Sequence, residues 1–159
     1  MTQRLDYYKS SPDAAQKYME FNNLLHKKPF LAQYGHLVTL RASQINGCAF
    51  CVDMHVKEAR IHGERELRLH HLAAWRESTL FVPRERAALA WTETLTKLPD
   101  GGVPSEIYDR VRTQLSEEEI VDLTYSVMTI NAWNRANIAF QTVPGSADKA
   151  FGLTKANLN

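Results

Sequence analysis

The chain has little of what defines several protein classes. Only two of its 159 residues are cysteine, six are proline and seven are glycine. Two cysteines cannot supply the several disulfide bonds that small secreted domains use as a framework. The low proline and glycine content favours a helical domain over one that is rich in loops.

Charge of one sign and long apolar runs are also lacking. Nineteen lysines and arginines nearly cancel eighteen aspartates and glutamates, which leaves a formal net charge of +1. A general nucleic-acid or membrane-surface binder would carry a field of one sign, so neither partner is expected. No apolar run approaches the roughly 20 residues that cross a bilayer, and the N-terminal segment has no apolar stretch typical of a secretory signal. We therefore expect a cytoplasmic protein.

Helical signals recur along the chain, whereas alternating strand patterns are almost absent. Prolines open several predicted helices, and Ser116 with Glu119 forms a capping box for a long last helix that ends near Phe140. These patterns predict an all-α fold of about seven helices in one compact domain, residues 1–159. Its core covers about residues 12–140, and residues 141–159 are expected to form an extended, loosely tied tail.

The chemistry of the chain is concentrated around its two cysteines. Cys48 and Cys51 lie three residues apart, and His55 follows one helical turn later. Two thiols at this spacing can close a disulfide within one turn, and His55 on the same face can accept a thiol proton. Asn46 is the predicted cap of this helix. A place in the first turn of the helix lowers the pKa of the Cys48 thiol, which favours Cys48 as the attacking thiol. Cys51 lies beside His55, which favours Cys51, so the order of attack stays open.

Two other interpretations of the same residues also stay open. The cysteines can be small buried hydrophobic residues beside a core histidine. Alternatively, His36, Cys48, Cys51 and His55 form a zinc site of two cysteines and two histidines, if the second predicted helix folds back on the third.

The segment around the cysteines closely resembles a known signature. Residues 40–55, LRASQINGCAFCVDMH, resemble the signature of the alkylhydroperoxidase-like (AhpD-like) branch of the carboxymuconolactone decarboxylase family. Residues 57–60, 84–91 and 131–135 extend the resemblance, so that it covers about residues 37–140. It implies an all-helical homo-oligomer, commonly a trimer or hexamer. It also implies a peroxidase or disulfide reductase that needs no metal, haem or flavin cofactor of its own.

The chain departs from the family pattern at Phe50, where the best-known member has a histidine between the cysteines, and at a position before them. In that motif a glutamate stands twelve residues before the first cysteine and orients the relay histidine, whereas this chain has His36 there. A neutral His36 can hydrogen-bond His55 or a bridging water, but it supplies no fixed negative charge. We therefore expect a weaker proton acceptor and a low peroxidase rate.

The expected function is a thiol-dependent peroxidase or disulfide reductase. His55 takes the proton of Cys51, the thiolate attacks a hydroperoxide substrate, and Cys48 closes the disulfide. An external dithiol or protein disulfide donor then reduces the pair. One alternative is a non-enzymatic redox sensor. The other is a carboxymuconolactone decarboxylase-like enzyme, which has no chemical use for paired thiols.

Overall fold

Within residues 2–158, which the computed structural model describes, the chain forms nine α-helices, two 3₁₀ turns and no strand. The helices are α1 (Tyr7–Ser10), α2 (Pro12–His26), α3 (Pro29–Asn46), α4 (Ala49–Ile61), α5 (Glu66–His71), α6 (Pro83–Thr96), α7 (Ser105–Arg112), α8 (Glu117–Phe140) and α9 (Asp148–Phe151), with 3₁₀ turns at Leu72–Ala74 and Leu153–Ala156. The all-α prediction is confirmed, and the seven predicted helices correspond to α2–α8. The four-residue helices α1 and α9 were not predicted, because a single turn contains no repeat to detect. Among these residues no helix is long and apolar enough to cross a membrane.

Helix α3 lies at the centre of the fold and packs against α4, α6 and α8. Leu37, Val38, Leu40 and Ala42 are each at most 1% exposed, so several faces of this helix are covered. A helix that is apolar on several faces is stable only when neighbours cover those faces. One apolar cluster joins α3 to α2, α6, α7 and α8, and a second joins it to α4, α5, α6 and the turn at Leu72–Ala74.

The chain turns sharply between α3 and α4, and this corner sets the start of the cysteine helix. Gly47 adopts a left-handed conformation with φ 70°, and the Cys48 amide donates to the Ser43 carbonyl at 3.1 Å. The predicted Asn46 cap is wrong: Asn46 ends α3, and Cys48 is the N-cap of α4. The Asn46 side chain is directed at α8 and not at the start of α4, and its NH₂ group donates to the side-chain oxygens of Asn131 and Asn134.

The C-terminal segment is folded onto the domain, so the prediction of a loosely tied tail is wrong. Helix α9 and the 3₁₀ turn that follows it form there, and Leu153 and Ala156 in that turn are only 3% and 4% exposed. This turn packs against α4. The segment therefore lies over the helix that carries the cysteines.

A buried lysine ties this segment to α4. The Lys57 ammonium lies 2.8 Å from an Asp53 carboxylate oxygen and 2.7 Å from one of Asp148, and its side chain is only 7% exposed. The Gly145 amide also donates to Asp53 at 3.1 Å. Because Lys57 meets its second carboxylate 91 residues away, this contact cannot be read from local sequence.

We expect Lys57→Met to lower the free energy of unfolding by about 2 kcal/mol, because it leaves two carboxylates without their cation. This value lies between those typical of surface ion pairs and of buried ion pairs. Urea unfolding measures this change. Lys149→Met, at an exposed position of the same segment, is the matched control and should have little effect. Equal losses for the two variants would contradict the anchoring role of Lys57.

Candidate active site

The two cysteines form a disulfide bond at the start of α4, and both residues are buried. Cys48 and Cys51 are each 1% exposed, with their Cα atoms 5.3 Å apart. The Cys51 amide also points at the Cys48 sulfur, with the nitrogen 3.3 Å from it. The predicted pairing is therefore present. Cys48 lies at the N-cap and not inside the first turn, which still leaves it at the positive end of the helix.

His55 lies one turn after Cys51 on α4 and is only 5% exposed. Its Nδ1 is 2.6 Å from a carboxylate oxygen of Glu58. Because a carboxylate can only accept, Nδ1 carries the hydrogen and Nε2 carries the free lone pair. Within residues 2–158, Nε2 is buried and has no hydrogen-bond partner. A neutral imidazole in this state is ready to accept a proton.

Glu58 supplies the fixed negative charge that the sequence analysis did not find. Burial raises the pKa of this carboxyl group, but the hydrogen bond from His55 and the nearby His26 and His62 outweigh that effect. The net pKa of Glu58 lies below its ordinary value of 4.5, so the group is ionised at neutral pH. Its position three residues after His55 is a local signal, since side chains at i and i+3 meet on a helix surface.

His36 does not form the direct hydrogen bond to His55 that the sequence allowed. Its Nε2 lies 2.7 Å from a carboxylate oxygen of Glu64, and it has no hydrogen bond to His55. The expectation of a weak proton acceptor rested on the missing family glutamate, and the structure shows another carboxylate beside the histidine: Glu58, from the same helix, lies 2.6 Å from His55 Nδ1.

The four residues considered for zinc do not assemble as a ligand set. Cys48 and Cys51 are bonded to each other, and His36 is paired with Glu64. In the part of the chain described, residues 2–158, no group of three or more histidine, cysteine or acidic side chains is arranged to hold a metal ion.

A cavity of about 150 Å³ reaches the redox pair from one side. Cys51 and His55 line it, whereas Cys48 is not among its lining residues within 2–158. The remaining wall is mostly aromatic, apolar and amide-bearing, and Tyr8 and Phe151 contribute to it from the two terminal segments. Its residues are Tyr8, Met19, Asn22, Asn23, His26, Thr39, Phe50, Met54, Glu58, Ile130, Trp133, Asn137 and Phe151. This space is large enough for several water molecules or one small organic molecule.

Three asparagines on α8 face the cysteine region, and sequence analysis did not assign them. Asn134 donates to the Ser43 hydroxyl at 3.0 Å and accepts from Asn46, while Asn131 donates to Thr96 and Val127. Asn137 lies further along α8, with its amide nitrogen 3.6 Å from the Cys51 sulfur. The spacing of three residues between these amides was the only available signal.

Comparisons with known proteins agree with this architecture. Residues 12–94 match the model of the carboxymuconolactone decarboxylase family. The uncharacterized protein YdfG of Bacillus subtilis is 41% identical over 139 residues, which cover 87% of this chain and 95% of that protein. The uncharacterized protein YnjA of Escherichia coli is 32% identical over 104 residues, 65% of this chain and 56% of that protein.

Solved structures give the same picture. The chain is similar to ATU0492 of Agrobacterium tumefaciens, a protein of unknown function described as a candidate antioxidant defence protein, AhpD. The TM-score is 0.86 at 40% identity, over 90% of this chain and 98% of that chain. An uncharacterized peroxidase-related protein from Ralstonia eutropha, described as an alkylhydroperoxidase AhpD core, shares the fold. Its TM-score is 0.77 at 19% identity, over 87% of this chain and 74% of that one.

The lowered pKa of Glu58 predicts how stability depends on pH. A carboxyl group with a folded-state pKa below its unfolded value contributes stability above that unfolded value, about 4.5, and loses it as the pH falls through the folded-state value. We expect Glu58→Gln to lower the free energy of unfolding by about 1 kcal/mol near pH 7, and the difference to shrink below about pH 4.

Urea unfolding at both pH values measures this effect. Glu66→Gln is the control, because the Glu66 side chain is 67% exposed and its nearest cationic groups are 3.7 Å away. A Glu58→Gln loss that stays constant across the pH range would contradict an ionised Glu58 carboxylate that accepts from His55.

Proposed function

Because the chain belongs to the carboxymuconolactone decarboxylase family, in its AhpD-like branch, and carries paired cysteines beside a histidine, we propose that it is a thiol-dependent peroxidase. Its substrate is a hydroperoxide, and its electrons come from an external dithiol, either a small molecule or the reduced cysteine pair of a protein partner. The description of the Agrobacterium relative as a candidate antioxidant defence protein supports the same activity. A cytoplasmic location and a homo-oligomer, trimer or hexamer, stay predictions.

The observation that carries this proposal is the state of the His55 ring. Its Nδ1 is held by Glu58 at 2.6 Å, and its buried Nε2 has no partner among residues 2–158. A buried polar atom without a partner costs about 1–3 kcal/mol, so such an atom calls for an explanation. Reduction of the disulfide supplies one, because it creates a thiol at Cys51 in the cavity that His55 also lines.

The first step in the proposed reaction takes place at Cys51. Neutral His55 accepts the thiol proton at Nε2, and the thiolate attacks the terminal oxygen of the hydroperoxide. The O–O bond breaks, the sulfur becomes a sulfenic acid, and the leaving alkoxide takes the proton back from His55 to become an alcohol. Glu58 stabilises the transient imidazolium, as a carboxylate paired with histidine does in other relays.

Cys48 completes the oxidative half of the cycle. Its thiol attacks the sulfenic sulfur of Cys51, water leaves, and the disulfide closes. Cys48 suits this second role because it lies outside the cavity lining and at the positive end of α4. When an external dithiol then attacks the Cys51 sulfur, Cys48 leaves as a thiolate that the helix end and the Cys51 amide stabilise.

Single cysteine variants test the order of attack. With cumene hydroperoxide and a dithiol, we expect Cys51→Ser to lose turnover by at least about 100-fold, because the nucleophile is gone. In the absence of the dithiol, prereduced Cys48→Ser should react once with peroxide and stop, leaving a sulfenic acid at Cys51 that a dimedone-type reagent traps. Trapping at Cys48 in Cys51→Ser would reverse the roles. Full turnover in both variants would refute the dithiol peroxidase.

A matched pair of variants tests which residue serves as the partner of His55. We expect Glu58→Gln to lower the rate of peroxide attack by about tenfold or more, because the imidazolium loses its counter-charge. His36→Ala should leave that rate unchanged and affect only stability, because His36 is bonded to Glu64. Stopped-flow kinetics of the reduced protein measures both. The opposite outcome would restore His36 to the relay, and a reversible disulfide without turnover in the unchanged protein would indicate a redox sensor.

A further inference from the structure

We propose that Asn137 is a catalytic hydrogen-bond donor to the Cys51 sulfur, and that Tyr7 is the residue that orients it. This inference deepens the proposed function and rests on it for its catalytic meaning. Tyr7 belongs to α1 and Asn137 to the last turn of α8, so both lie outside residues 12–94, which match the family model.

Both N–H groups and the oxygen of the Asn137 side-chain amide have a partner. One N–H donates to the Trp133 carbonyl at 2.9 Å, and the other is directed at the Cys51 sulfur, with the nitrogen 3.6 Å from it. The amide oxygen accepts from the Tyr7 hydroxyl at 3.2 Å. Asn137 is only 4% exposed, so water does not compete strongly for these groups.

Two neighbours fix which end of the amide faces the sulfur. The Trp133 carbonyl can only accept, so the NH₂ group must be on its side. The Tyr7 hydroxyl stays protonated, because burial and the adjacent Tyr8 raise its pKa well above the ordinary value of 10. A protonated phenol that donates to the amide oxygen holds that oxygen away from Cys51. Tyr7 acts across 130 residues of sequence to set the orientation of one side chain.

The contact is weak in the disulfide and strong in the thiolate. A neutral disulfide sulfur is a poor acceptor, whereas a hydrogen bond to a charged acceptor is about twice as strong as a neutral one. Asn137 therefore favours the Cys51 thiolate over both the thiol and the disulfide. It lowers the pKa of the thiol, and it makes the disulfide easier to reduce.

Five titratable groups that line the cavity or contact Asn137 can also act on the Cys51 thiol once it is reduced. His55 and Glu58 come from α4, His26 from the end of α2, and Tyr7 and Tyr8 from α1. Because Asn137 is uncharged, its replacement leaves the charge of every neighbour in place.

The decisive measurement is the pKa of the Cys51 thiol in a Cys48→Ser background, where it is the only thiol in the chain. The rate of alkylation as a function of pH, or the absorbance of the thiolate, gives this value without peroxide. We expect Asn137→Ser to raise the thiol pKa by about one unit, and Tyr7→Phe to raise it by a smaller amount, because it frees the amide to rotate without removing it.

Two matched controls separate this effect from loss of structure. Asn22→Ser removes a half-buried amide that lines the same cavity and contacts His26 but does not bind the sulfur. Tyr18→Phe removes a hydroxyl that binds the Thr129 carbonyl, from a ring that also packs on Trp133. Neither should move the thiol pKa as far as Asn137→Ser does. Equal shifts for Asn137→Ser and Asn22→Ser, or no shift in both Asn137→Ser and Tyr7→Phe, would overturn the proposal.

A second measurement is the equilibrium of thiol–disulfide exchange, which needs no peroxide. It uses two variants, so that the test does not depend on the folding of the Asn137 variant alone. With both cysteines present, Tyr7→Phe and Asn137→Ser should make the disulfide harder to reduce, by up to about tenfold in the exchange equilibrium with a reference dithiol. An unchanged equilibrium in both variants contradicts the role of the amide. Absence of peroxide turnover in the unchanged protein refutes the proposed function alone, because the thiol pKa and the exchange equilibrium do not depend on it.

Discussion

The structure depends on the corner between α3 and α4, where buried asparagines hold the start of the cysteine helix. Asn46 donates to Asn131 and Asn134, and Asn134 donates in turn to Ser43, whose carbonyl accepts the Cys48 amide. Buried amides are costly unless each finds a partner, and in this network each of the three asparagine side chains has at least two. That arrangement fixes where α4 begins, and hence the position of Cys48 at its N-cap.

Once its start is fixed, α4 places the reacting groups by helical spacing alone. Cys48, Cys51, His55 and Glu58 follow at intervals of three, four and three residues, which keeps them along one side of the helix. The order along that side is a disulfide, a histidine and a carboxylate. From outside this helix, the Asn137 amide of α8 points at the Cys51 sulfur, and Tyr7 of α1 donates to that amide. In the proposed reaction the local motif supplies the chemistry, and distant segments adjust it.

Local information in the sequence was sufficient for most helices and for the cysteine pair. Prolines, a capping box and apolar periodicity are properties of short segments and predicted α2–α8, and the spacing of the two cysteines predicted their pairing. The tail was predicted wrongly because Lys57 meets Asp148 only after the chain folds back. His36 was selected through its position in a family motif, and its role stays a prediction; the structure places Glu58 against His55, and His36 against Glu64. Position in a motif does not fix which side chains meet, and here an acidic residue one turn along the same helix contacts the histidine.

The terminal segments matter more to this site than their distance in sequence suggests. Tyr8 and Phe151 line the cavity, and Ala147 packs against the cluster of Cys48, Phe50 and Cys51. Without these segments the wall of the cavity would be incomplete, and the sulfur atoms would be more open to water. Exposure to water weakens both the hydrogen bond to a thiolate and the ion pair of a histidine with a carboxylate. The central helices therefore bring the candidate reacting groups together, and the folded termini set the dielectric environment around them.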